Sequence, residues 1–81
     1  MSDIEIIAGY TKSKLIEIAK EVNNSTVKRG WRGNSALYGS VLAYGNIYKI
    51  LGHECEVTAR EDEEGYTRIS ELKIDGNIIE I

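Results

Sequence analysis

The chain has 81 residues, 42% of them hydrophobic and 28% charged, with a formal net charge of −3. That make-up fits one globular domain near the lower size limit for folding without staples, and it argues against disorder. One cysteine and one histidine exclude an internal disulfide and a Cys/His zinc site within one chain, and no apolar run reaches the roughly 18 residues a membrane span needs.

The expectation is therefore a single compact domain, residues 1–81, in a reducing cytoplasmic setting, with no membrane association, metal or cofactor. The opening MSDIEIIAGY carries an acid where a secretion signal needs bases. Charge is uneven along the chain. Residues 1–34 hold six Lys/Arg and four Asp/Glu, whereas residues 35–81 hold four and nine. An acidic second half disfavours nucleic-acid contact over the whole surface, because phosphate neutralisation needs clustered cations.

In chain order, Ser2 and Glu5 have the spacing of a capping box. Ile4, Ile7, Ala8, Thr11, Leu15, Ile18, Ala19 and Val22 then share one helical face. The spacing predicts a helix over about 11–23. Gly9 suggests a break before it, with Thr11 as a second cap, and residues 4–7 have an edge strand as their alternative. Asn23, Asn24 and Ser25 close the helix, since short polar side chains compete for backbone hydrogen bonds.

The next segment, Thr26 to Asn34, reads as a loop and is densely basic. Lys28, Arg29 and Arg32 surround Trp31 between Gly30 and Gly33. Three cations around one aromatic suit phosphate contact with base stacking, while the competing reading makes Trp31 a core anchor. Leu15 to Val22 followed by Ser25 to Arg29 resembles the helix-turn-helix consensus of bacterial repressors. Asn23 takes the place of the usual turn glycine, the spacing is short, and Gly30 and Gly33 interrupt the second helix. A winged variant would bring the acidic residues 61–64 toward DNA, so this resemblance does not set the expectation.

Ser35 to Leu51 is the longest weakly charged apolar stretch. Leu37, Val41, Tyr44, Tyr48 and Leu51 recur at helical spacing, and Gly52 follows where a left-handed cap belongs. The helix 35–51 carries a second apolar stripe, Tyr38 and Leu42, left for a partner. The alternative is a hairpin turning at Gly45-Asn46, which gives one helix on a five-stranded, mostly antiparallel sheet.

Three strands complete the chain, at about 53–60, 66–74 and 77–81. The first alternates apolar and polar residues. Glu61, Asp62, Glu63, Glu64 and Gly65 form an acidic turn, the second strand has an irregularity near Ser70-Glu71, and Asp75-Gly76 begins a tight turn. The predicted fold is a two-layer α+β domain, helices 11–23 and 35–51 packed on an antiparallel meander.

Catalytic chemistry finds little material. His53 and Cys55 lie two apart, a spacing at which a histidine activates a thiol, or at which both simply line the sheet–helix interface. The expectation is a non-enzymatic module that binds another protein or a second copy of itself, as a regulator or inhibitor acting by contact. Its surface is Tyr38, Leu42, Glu61, Asp62, Glu63 and Glu64. The alternative is a single-stranded nucleic acid binder using Lys28, Arg29, Trp31 and Arg32.

Overall fold

The computed structural model describes residues 2–27 and 33–81. Helices α1 (Asp3–Asn24) and α2 (Asn34–Ile50) precede strands β1 (Cys55–Glu61), β2 (Thr67–Ile74) and β3 (Asn77–Ile78). The strands form one antiparallel sheet in the order β1-β2-β3, and both helices pack against it. This is the α+β arrangement expected from the sequence. The five-stranded alternative is not formed, because Gly45 and Asn46 lie inside α2.

At the start of α1, Ser2 Oγ accepts the Glu5 N–H at 3.2 Å, as the capping pattern predicts. The helix then runs 22 residues without a break at Gly9. Thr11 caps nothing; its hydroxyl donates to the Ile7 carbonyl at 2.8 Å, inside the helix. A glycine penalty of roughly 1 kcal/mol does not stop a capped helix that propagates on both sides. Residues 4–7 are therefore helix, and the strand alternative falls. No helix follows over Ser25–Val27, so the helix-turn-helix resemblance has no counterpart there.

Helix α2 ends as its sequence suggests. Gly52 has φ +94°, its N–H reaches the Lys49 carbonyl, and the His53 N–H reaches the Tyr48 carbonyl. Those two bonds define a Schellman cap. Gly45, inside α2, is buried toward β1: a methyl group placed there would sit 3.4 Å from Cys55 Sγ, about van der Waals contact.

The β1–β2 register slips between Thr58 and Ala59, which face Glu71 and Ile69. Ser70 is the extra residue of a bulge on β2, and it explains how Ile69 and Leu72, three apart, both point inward. Asp75 and Gly76, with φ of 51° and 83°, make the two-residue turn into β3. Strand β1 starts at Cys55 rather than residue 53. Strand β3 is two residues long rather than five, although Ile79 still donates to the Leu72 carbonyl at 2.8 Å.

Two asparagines finish what β3 leaves undone. Beyond β3, the outer side of β2 at Thr67 and Ile69 has no strand neighbour among the described residues. Asn23 Nδ2 donates to the Ile69 carbonyl at 3.0 Å, and Asn23 Oδ1 accepts the Ile69 N–H at 2.7 Å. Asn34 makes the same pair of bonds to Thr67 and also donates to the Val22 carbonyl at 3.0 Å. Each side-chain amide imitates a peptide group of a missing strand and satisfies backbone that burial would otherwise penalise. Around them the core gathers Leu15, Val22, Val41, Leu72 and Ile74, each 0–1% exposed. Each contributes about 1.5–3 kcal/mol by burial.

Candidate functional site

The helices form an antiparallel hairpin. Asn34, at the start of α2, bonds Val22 near the end of α1, and midway Lys14 lies within electrostatic reach of Tyr44. The start of α1 and the end of α2 therefore share one end of the molecule. There the core runs out: Ala8 is the last buried residue toward the N-terminus among the described residues. Ile4 continues the buried face of α1 by one turn, yet it is 58% exposed. Ile6, Ile7 and Tyr10 on the same stretch of α1 are exposed too, as are Ile47 and Ile50 near the end of α2. This concentration of apolar groups was not among the expected surfaces, because helical spacing assigned Ile4 and Ile7 to the core. The legible signal was the run Ile4 to Ile7, apolar on more faces than one buried stripe needs.

The predicted second stripe of α2 is partly as expected. Leu42 is exposed, and Tyr38 is half-buried against the core. Positions 38, 42, 45 and 49 share one side of the helix. A methyl group on Gly45 would lie 3.4 Å from Cys55 Sγ, and Lys49 lines a groove with Cys55, so at positions 45 and 49 that side faces β1.

The acidic turn divides its four carboxylates. Glu61, Glu63 and Glu64 are exposed. Asp62 builds the turn: its Oδ1 accepts the Glu64 and Tyr66 N–H groups at 3.0 and 2.9 Å, and its Oδ2 accepts Arg68 Nε at 3.1 Å. The Tyr66 amide bond, ahead of the others, holds the Asp62 carboxyl below the usual aspartate range. Arg68 also donates to the Val22 and Ser25 carbonyls at 2.8 and 2.9 Å, which ties the turn to the end of α1. Tyr38 and Leu42 lie on α2, and the acidic turn joins β1 to β2. Among the described residues no three His, Cys, Asp or Glu side chains are placed to hold a metal ion.

His53 and Cys55 do not form a catalytic pair among the described contacts. The His53 ring stacks on Tyr48 with centroids 4.4 Å apart, and its Nδ1 is 3.3 Å from Asp75 Oδ1. Cys55 is 3% exposed, and burial, the leading cause, pushes its thiol pKa up. An activated thiol at neutral pH needs the opposite shift. A groove of about 530 Å³ runs past both residues, lined also by Lys49, Glu56 and Lys73. Its mixed charges select no single ligand class.

Lys28, Arg29, Trp31 and Arg32 lie outside the described residues. Among the described residues no helix is long and apolar enough to cross a membrane. No protein-family model, no curated protein and no solved structure matches the chain.

Proposed function

We propose that this domain is a non-enzymatic protein-binding module that acts as a regulator or inhibitor by contact. The supporting observation is the exposed apolar end of the helical hairpin. A small domain that leaves Ile4, Ile6, Ile7, Tyr10, Ile47 and Ile50 in water keeps its hydrophobic groups for a surface that covers them. Ile6 and Tyr10 stand at i and i+4 on α1, with Ile7 alongside, the spacing by which a helix seats itself in an apolar groove. The partner is a protein offering such a groove. Leu42 and the exposed carboxylates of the 61–64 turn are secondary contacts, the latter speeding encounter with a basic surface.

The test is affinity capture from the source cell with the native chain and with an Ile6→Asp, Ile50→Asp variant. One protein recovered stoichiometrically with the first and lost with the second is the expected result. Recovery that is indifferent to these substitutions, with the variant folded by circular dichroism, refutes the assignment.

A further inference from the structure

The two outer edges of the sheet are treated differently. On the far side, β2 is covered by β3 and by the Asn23 and Asn34 amides. Strand β1, at the other edge, has no neighbour outside it among the described residues. It is seven residues long, and the bulge residue Ser70 belongs to β2, so the outer row of β1 is continuous. An open edge of this length is a template for another strand.

We infer that β1 pairs antiparallel with β1 of a second copy, centred on Thr58, to join two domains through one six-stranded sheet. The motivation is self-complementarity. In that register Glu56 faces Arg60 of the other copy, twice by symmetry. Val57 faces Ala59 on the helix side, and Thr58 faces Thr58 on the wet side, a favourable cross-strand pair. Residues of one parity always meet the same parity, so whichever backbone groups point outward find their own kind opposite. Within its own sheet Arg60 faces Arg68, a like charge, and neither Arg60 nor Glu56 forms an ion pair among the described residues. The second copy's Glu56 supplies the missing anion. This contact is separate from the hairpin end and stands without it.

Light scattering with analytical ultracentrifugation at high micromolar concentration tests the pairing. The native chain is expected to dimerise. Glu56→Arg alone and Arg60→Glu alone each place like charges across the seam and weaken association by about tenfold or more. An equimolar mixture of those two variants restores it, because each then faces the opposite charge, and this also shows that both are folded. A native monomer, association indifferent to both single variants, or a mixture that stays monomeric overturns the inference. Ile6→Asp leaves the dimer intact; a dimer lost with Ile6→Asp and kept by the charge variants belongs to the hairpin end instead.

Discussion

The Tyr48 hydroxyl donates to Asp75 Oδ2 at 2.6 Å, joining the last turn of α2 to the turn between β2 and β3. Tyr48 is also the residue whose carbonyl closes the Schellman cap and whose ring carries His53. Asp75 in turn accepts the Glu54 N–H at 3.1 Å, and its own N–H donates to the Glu54 carbonyl. One tyrosine and one aspartate thus secure the helix end, the start of β1 and the second sheet turn.

Tyr48→Phe keeps the buried ring and removes this bond. Melting followed by circular dichroism is expected to show a Tm lower by roughly 4–8 °C. The native phenol also titrates late. Burial first, and then the bond to Asp75, pushes its pKa up to about 12. A tyrosine held above its unfolded value contributes stability that is full below about pH 10 and lost as pH rises through the folded value. Phenolate absorbance on alkaline titration should show one of the five tyrosines ionising later than in the denatured chain, and Tyr48→Phe should remove that step.

Acid acts on the two turn aspartates. The Tyr48 hydroxyl first, then the Glu54 amide, holds Asp75 below the usual aspartate range, as the Tyr66 amide does Asp62. Their contribution is present above the unfolded pKa of about 3.9 and is lost as pH falls through their lower folded values. Urea midpoints should therefore drop on acidification below about pH 4. Asp62→Asn and Asp75→Asn should each flatten that decline and lower the midpoint at neutral pH.

Asn34→Ala removes a side chain 1% exposed and strips Thr67 and the Val22 carbonyl of their partner. The expected cost is about 2–3 kcal/mol in denaturant unfolding. Asn34→Asp keeps the acceptor and loses both donated bonds, so it should not restore stability. Amide exchange at Thr67 should quicken in both variants.

Gly9 sits mid-helix, and a methyl group added there would have nothing within 4 Å. Gly9→Ala should stabilise the domain by about 0.5–1 kcal/mol, since no contact opposes the gain in helix propensity. An unchanged or lower urea midpoint would show that the helix does not persist through residue 9.

Local signals were legible where they act over a few residues. The cap at Ser2, the left-handed Gly52, the Asp75-Gly76 turn and the bulge beside Ser70 all follow from short-range backbone chemistry. The extent of α1 was not, because a glycine reads as a break unless the helix on both sides is known to hold. The exposed hairpin end was hidden for a related reason. Periodicity shows which face a residue shares, but not whether the opposite layer reaches that far. Of the expected surface, Leu42 and three of the four carboxylates are exposed, whereas Tyr38 packs on the core and Asp62 is occupied within its own turn.

By itself the sequence determined the α+β class and the turns between the C-terminal strands, because hydrophobic period and turn chemistry are local properties, while residues 4–7 and 35–51 stayed open between helix and strand until the fold placed both in helices. Tertiary structure alone decided that Asn23 and Asn34 serve as a surrogate strand, that Tyr48 reaches Asp75, and that β1 is left uncovered. The first two of those outcomes join residues 27 to 46 positions apart. All three depend on how far the helices and the short β3 extend over the sheet, which no local pattern encodes.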